Sequence, residues 1–338
     1  MTSSVRIAQS DQTFDVADHE SILDGALRAG VKLPHECTFG GCGTCRVKIH
    51  EGAVHYDEFP MALTEEEHDA GYALACQARC SGNVVIEPCA AGIEFPPTVR
   101  VSATVSDVQR LTPEITRLVM ALPDDVDVQY VPGQYMNIVL PDGSTRSFSM
   151  ASARLPDNQV DFHIRHIPGG YFTSSVVSGL RPGDTLQLDI PLGTFCYRSD
   201  DWRPMIMAAT GTGIAPLRAI LESLLDNEDC PPITFYWGMR TEADLYAAKE
   251  MASWASRLYE FNFIPVLSRP SEAWQGRRGY VQDAVAQDHE DLSEYAFYLC
   301  GSPDMIAQAQ RMFCDKGADI DYIYSDSFTF AVPTTATV

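Results

Sequence analysis

Basic residues are scarce in this chain: 24 Lys and Arg stand against 46 Asp and Glu, giving a formal net charge of -22. That balance argues against nucleic acid and anionic membrane as partners, because both are held by cationic surfaces that displace counterions. No stretch approaches 18 uninterrupted apolar residues, and "MTSSVRIAQSDQ" at the N-terminus lacks a basic segment followed by an apolar one. Neither a membrane span nor a secretory signal is expected, and the expected location is cytoplasmic. A second C-x2-C hook of the kind zinc sites usually present is missing, as is a G-x-G-x-x-G fingerprint.

What remains is the composition of a globular protein, 45% hydrophobic and 21% charged over 338 residues, which is long enough for three domains. The ten cysteines of a cytoplasmic chain are expected to bind metal, take part in catalysis or lie buried rather than form disulfides. They are unevenly spread. "CTFGGCGTC" at 37–45 holds Cys37, Cys42 and Cys45, and Cys76 follows after 30 residues. The C-x4-C-x2-C…C spacing is that of plant-type [2Fe–2S] sites, in which thiolates from one short loop converge on a compact anionic core. Gly40, Gly41 and Gly43 are expected to supply left-handed turns and close backbone approach. Cys80 and Cys89 do not fit the spacing and read as ordinary thiols.

The flanks suit such a loop. "SVRIAQS" and "QTFDVAD" alternate like a hairpin, "HESILDGALRAG" reads as a helix closed by Gly30, and "TEEE" at 64–67 has the form of a capping box that starts a short helix before Cys76. Residues 1–92 therefore resemble a plant-type ferredoxin domain. Pro96 and Pro97 mark a linker. Beyond it, six period-2 runs ("SATVSDV", "EITRLVMA", "QYMNIVL", "RSFSMAS", "QVDFHIRHI", "DTLQLDI") predict a small antiparallel barrel over 99–200. From 203 to 330, buried-strand runs ("PMIMAA", "ITFYWG", "FNFIPVL", "AFYLCG", "IDYIYS") alternate with helical segments, the pattern of a parallel α/β sheet. "ATGTGIAPLRAI" places Gly211 and Gly213 at the first strand-to-helix turn, where a dinucleotide phosphate can meet a helix N-terminus. By itself a glycine pair is equally a plain tight turn.

Taken in order, "RSFS" (146–149), "PGGYFTSS" (168–175), "TGTGIAP" (210–216), "YLCGSPDM" (298–305) and "SDSF" (325–328) resemble the ferredoxin–NADP reductase superfamily. With the N-terminal ferredoxin, the chain is similar over residues 3–330 to the reductase components of bacterial multicomponent oxygenases, especially those that feed Rieske aromatic dioxygenases. The resemblance implies a multidomain architecture: a β-grasp ferredoxin, an antiparallel flavin barrel and an α/β nucleotide domain. It implies FAD, NADH and a [2Fe–2S] cluster held by Cys37, Cys42, Cys45 and Cys76. By the same resemblance Arg146 holds the flavin phosphate, Ser147 and Phe148 line the ring and Ser149 offers its hydroxyl to N5. Phe148 stands where tyrosine is more frequent. His163, Arg165 and His166 line the flavin's other side, His163 being equally readable as a solvated strand residue. Gly169, Gly170 and Thr173, with Ser174, approach the pyrophosphate.

For the pyridine nucleotide, Gly211, Thr212, Gly213 and Pro216 match the phosphate loop, Thr210 replacing a frequent glycine. Cys300 and Gly301 bring a thiol beside the nicotinamide. Arg240 is available for a 2′-phosphate, whereas Glu242 or Asp244 suits a free ribose hydroxyl; reductases of this kind generally use NADH. Asp326 and Phe328 stand where an acid and an aromatic flank the flavin, and "TFAVPTTATV" reads as a mobile tail. Together these imply a monomer that passes electrons from NADH through FAD and the cluster to a terminal oxygenase. The rival readings are a reductase for a diiron monooxygenase of the methane or phenol hydroxylase type, a reductase for a deoxysugar dehydratase, and a redox sensor without turnover.

Overall fold

The alternating runs at the N-terminus pair as a hairpin, β1 (Thr2–Ile7) against β2 (Thr13–Ala17), with Val5, Ile7, Phe14 and Val16 turned inward. The structure is a computed structural model that describes residues 2–328 except 9, 11, 36, 37, 42, 90–92, 94, 168, 169 and 171, and describes 174 and 175 without their side chains. Cys37, Cys42, Gly169, the Ser174 hydroxyl and the tail expected after 328 lie outside the described residues.

Helix α1 (Ile22–Arg28) starts at Ser21, whose hydroxyl accepts from the Asp24 N–H while the Asp24 carboxylate accepts from the Ser21 N–H. Gly30, at φ 72°, ends the segment as expected. There follow β3 (Arg46–Glu51), β4 (Val54–His55), α2 (Glu65–Asp69), β5 (Tyr72–Leu74), β6 (Arg79–Cys80) and β7 (Val84–Pro88). The capping box read at Thr64 and Glu67 forms with both of its hydrogen bonds. The main sheet runs β2-β1-β7-β3-β5, with β1 and β7 parallel and the other pairs antiparallel. Packing α1 on this sheet makes the β-grasp, and Ile22, Leu23, Leu74 and Ile86 are fully buried. Each such side chain contributes about 1.5–3 kcal/mol of burial.

All six alternating runs of the next segment are strands: β8 (Val99–Thr112), β9 (Ile115–Ala121), β10 (Tyr135–Val139), β11 (Thr145–Ser149), β12 (Gln159–Arg165) and β13 (Thr185–Leu192). They pair antiparallel in the order β11-β10-β13-β8-β9-β12. The period of two puts Val101, Leu118, Met136, Phe162 and Leu188 on the inside. A π-helical turn (Phe172–Val176) runs into the short α3 (Val177–Gly179) between β12 and β13.

The last third contains β14 (Met205–Thr210), α4 (Ile214–Ser223), β15 (Ile233–Met239), α5 (Ala248–Ser253), β16 (Phe261–Leu267), β17 (Arg277–Arg278), α6 (Val281–Asp288), β18 (Ala296–Gly301), α7 (Pro303–Cys314) and β19 (Ile323–Ser327). The sheet is wholly parallel, ordered β17-β16-β15-β14-β18-β19. Its strands read as unbroken apolar runs because both faces are covered: Met207, Phe235 and Trp237 pack on one side, Ile206, Ala208 and Phe297 on the other. The strand order reverses at β14 and β18, so their C-terminal ends open the crevice where such sheets take ligands. The exposed β17 was not expected, since "RR" carries no apolar signal. No helix among the described residues is long and apolar enough to cross a membrane.

Candidate functional site

The cysteine loop is shaped by its glycines and by the segment beneath it. Gly40 and Gly43 take left-handed φ values of 78° and 73°, as expected. Gly41 does not; Thr38, at φ 58°, takes the third left-handed position, and a Cβ on Gly41 would lie 2.4 Å from the Phe39 ring. The loop is tied down by Ala62 N–H to Gly40 O (2.9 Å) and by Gln77 Nε2 to Thr38 O (2.9 Å). Cys45 and Cys76 are both buried, and the Ala75 N–H donates to Cys45 O at 3.0 Å, which brings the two described thiol positions together across one backbone bond. Among the described residues, which include two of the four expected ligands, no set of three or more His, Cys, Asp or Glu side chains is grouped to hold a metal. Buried thiols on a tight loop fit a cluster that must be shielded from water yet stay near the surface.

On the barrel, β11 is an edge strand and carries the residues expected to hold the flavin. Arg146 donates from Nη1 to Thr145 O (2.7 Å) and has no carboxylate within ion-pair distance among the described residues, so its charge is available to a phosphate. Ser147 Oγ donates to Asn137 on β10 (2.7 Å). Phe148 is half-buried, its ring 5.7 Å from that of Phe172. His166 Nε2 lies 2.7 Å from Thr116 Oγ1, and burial lowers its pKa. Thr173 Oγ1 accepts from Ile167 N–H (3.0 Å), and a Cβ on Gly170 would press on that hydroxyl at 3.0 Å, so glycine and hydroxyl close one loop.

The residues expected to hold the nucleotide lie at the reversal of strand order. Gly211 (φ 59°) begins a 3-10 turn through Thr212 to Gly213, and a Cβ at 211 would meet nothing within 4 Å, leaving the outer side of the turn open. Gly213 serves a different purpose: a Cβ there would stand 2.3 Å from Cys300 O, so its bareness lets α4 and β18 approach each other. Pro216 is buried in the first turn of α4. Thr210 fills the room above Gly301, where a Cβ would lie 2.1 Å from its Oγ1.

The barrel and the sheet bring their candidates together at one seam. Ser149 Oγ on β11 donates to Asp326 Oδ2 on β19 at 3.5 Å, Asp326 stands directly opposite Cys300 in the β18–β19 ladder, and Phe328 N–H donates to Gly301 O at 2.7 Å. Burial, aided by the Asp326 carboxylate, pushes the Cys300 thiol well above its ordinary pKa, so it remains a neutral thiol. Ser149 also faces Tyr135 across the β10–β11 ladder. Gln134, next to it in the chain, lines a crevice of about 660 Å³ that His35 and Thr44 of the cysteine loop region also line.

Five candidates sit elsewhere. His163 Nδ1 bonds the Tyr246 hydroxyl (3.0 Å) inside the barrel–sheet contact, and burial drives the imidazole down to about 4. Arg240 and Arg165 share Glu114, at 3.5 and 3.4 Å. Glu242 accepts from Ser271, and Asp244 caps its own turn at Thr241.

Three residues of this contact escaped the sequence reading: Glu114, Tyr246 and Arg218. Arg218 is 9% exposed; it donates to Ser152 Oγ (2.9 Å) and to Ala151 O on the barrel and holds Glu250 bidentately at 2.9 and 2.7 Å. The one signal was a lone cation within the apolar run "PLRAIL".

Known proteins share this layout. Residues 5–81 match the family described as 2Fe-2S iron-sulfur cluster binding domain, 102–197 the Oxidoreductase FAD-binding domain and 207–311 the Oxidoreductase NAD-binding domain. The reductase component 1 of terephthalate 1,2-dioxygenase from Comamonas is 31% identical over 97% of this chain and 98% of its own. The anthranilate 1,2-dioxygenase electron transfer component of Acinetobacter baylyi is 33% identical over 97% of this chain and 98% of its own. The crystal structure of the Amycolatopsis cytochrome P450 reductase GcoB superposes with a TM-score of 0.73 at 31% identity, covering 97% of this chain and 99% of that one.

Proposed function

Since the chain belongs to the iron–sulfur flavoprotein reductases that join a 2Fe-2S ferredoxin domain to an FAD- and NAD(H)-binding module, we propose that it draws electrons from NADH to feed the terminal oxygenase of a Rieske-type aromatic-ring dioxygenase. When bound, the cofactors supply the redox chemistry: hydride from NADH to flavin N5, then single electrons through the cluster. The protein's work is positioning, because hydride transfer needs its two atoms within roughly 3–3.5 Å of each other.

In this reading Arg146 neutralises the flavin phosphate, Ser149 orients N5, and Cys300 and Asp326 hold the nicotinamide face while Phe328 covers the ring. Ser147 and Phe148 line the flavin, with Arg165, His166, Gly169, Gly170, Thr173 and Ser174 toward its phosphates. Gly211, Thr212, Gly213, Pro216 and Gly301 shape the nucleotide pocket. Cys37, Cys42, Cys45 and Cys76 hold the cluster. The assignment of NADH rather than NADPH is supported by the engagement of Arg240 with Glu114. The working units are 1–92, 99–200 and 203–330, in a cytoplasmic monomer. Exit to the acceptor is supported by an apolar patch beside the cysteine loop, where Phe39, Phe59 and Met61 are 63%, 49% and 56% exposed next to Asp57 and Glu58.

The observation that carries the proposal is the meeting of Ser149 of the barrel with Asp326 and Cys300 of the parallel sheet at one seam. The test uses Cys42→Ser. Loss of NADH-dependent cytochrome c reduction with retained ferricyanide reduction is expected; survival of both would remove the cluster from the path.

A further inference from the structure

The ferredoxin domain touches the nucleotide domain through a compact set of polar contacts that the hydride chemistry does not use. Glu67 of α2, 2% exposed, spends one carboxylate oxygen on the Thr64 N–H (3.0 Å). Its other oxygen accepts from Arg46 Nη2 (3.1 Å) and from Nε2 of the fully buried Gln310 on α7 (2.9 Å). Next to it Arg311 Nε donates to Glu66 Oε1 at 2.7 Å. A few residues on, Asp321 Oδ1 accepts from Lys48 Nζ (2.5 Å) and from the Tyr72 hydroxyl (2.8 Å), with the Lys48 ammonium also 4.2 Å from the Tyr72 ring centre. A carboxylate and a cation thus face opposite charges across the junction in both directions: Glu66 to Arg311 and Lys48 to Asp321.

The placement of these groups matters more than their number. Arg46 follows Cys45 directly and also donates to Ala62 O (3.1 Å), the residue whose N–H fixes Gly40, so the junction is wired to the cysteine loop. On the other side, α7 is capped by Ser302, next to Gly301, and Asp321 leads into β19, which ends at Ser327 beyond Asp326. Each ferredoxin contact therefore rests on an element whose other end builds the nicotinamide side of the seam.

We propose that Glu66, Glu67, Lys48 and Tyr72 against Gln310, Arg311 and Asp321 form an anchor of positioning residues that holds the ferredoxin domain where it can receive electrons. The proposal rests on the electron path read above. The internal transfer rate is the docked fraction multiplied by the rate in the docked state, so weakening the anchor lowers transfer to the cluster and leaves hydride transfer to the flavin as it was. Charge reversal at one contact should change the docking equilibrium by a factor of about 5 or more.

The test is a charge swap in the holoenzyme, read by stopped-flow absorbance of flavin and cluster after mixing with NADH, and by amide hydrogen exchange. Arg311→Glu and Glu66→Arg should each slow cluster reduction about fivefold or more at unchanged flavin reduction, and should raise exchange across α2 and the C-terminal half of α7. The double variant should restore both readouts. Asp321→Asn, which adds no charge of the wrong sign, should act in the same direction. Unchanged cluster reduction and exchange in the single variants, or a double variant no better than either single, overturns the anchor. Wild-type protein that reduces its flavin but never its cluster would instead sink the electron path, and exchange in the swap series would still decide whether the contact exists.

Discussion

At position 301 a methyl group has nowhere to go. Gly301 adopts φ 153°, and a Cβ would lie 2.1 Å from Thr210 Oγ1 and 3.0 Å from Met305 Cε. Gly301→Ala should therefore cost about 2 kcal/mol or more of stability in urea unfolding and raise the KM for NADH. Adding Thr210→Gly should recover the steric share but not the backbone share. Arg146→Ala should leave flavin-depleted protein, with the dissociation constant up roughly 10–100-fold for loss of a charged hydrogen bond, and Arg146→Lys should recover part of it; flavin absorbance per protein reads both. Full yellow occupancy in the alanine variant would remove the phosphate role. The candidates Arg146, Ser149, Cys300 and Asp326 stood out in the sequence because short motifs surround them. Glu114, Tyr246 and Arg218 were not, because each acquires its meaning from a partner contributed by another domain. His163 shows the same limit: alternation placed it on a strand face, and only the folded seam shows that Tyr246 covers that face.

Between elements, the barrel meets the sheet through α4 and the segment before α5. Arg218→Ala removes the one cation shared by Ala151, Ser152 and Glu250, and should lower unfolding stability by about 2 kcal/mol, less than for a fully buried pair because Glu250 is partly exposed. The His163 imidazole gives this seam a pH dependence of definite sign. Its folded pKa, about 4, lies below the ordinary 6.5, so the unfolded chain takes up a proton that the fold refuses. Its contribution is intact above pH 6.5 and is lost as the pH falls toward 4, amounting to about 3 kcal/mol at the lower end. Thermal unfolding of wild type and His163→Gln between those limits checks this: the wild type should lose more stability on acidification than the variant. The strands themselves were readable because periods of two and unbroken apolar runs report one buried face or two, whereas β17 has neither and pairs only because β16 offers an edge.

Over the whole molecule, the net charge of -22 bears on encounter rather than fold. Reduction of a basic acceptor such as cytochrome c should fall steeply as salt shortens the Debye length from about 30 Å at 0.01 M to about 8 Å at 0.15 M, while reduction of ferricyanide at the flavin should not. A flat salt profile for the basic acceptor would remove steering from the account. Domain order and fold class were open to reading from local pattern, since each module carries its own motif and period. How the modules face one another was not, because the contacts join positions such as Glu66 and Arg311, 245 residues apart. Helix α7 spans 12 residues, about 18 Å, between the turn at Gly301, proposed to shape the nucleotide pocket, and the patch that grips the iron carrier. Anyone splicing a foreign ferredoxin onto this reductase at the proline linker would keep the tether and discard the handshake; such a chimera needs an acid at the Glu66 position, and a matching Lys48–Tyr72 pair, before its new module sits where the old one did.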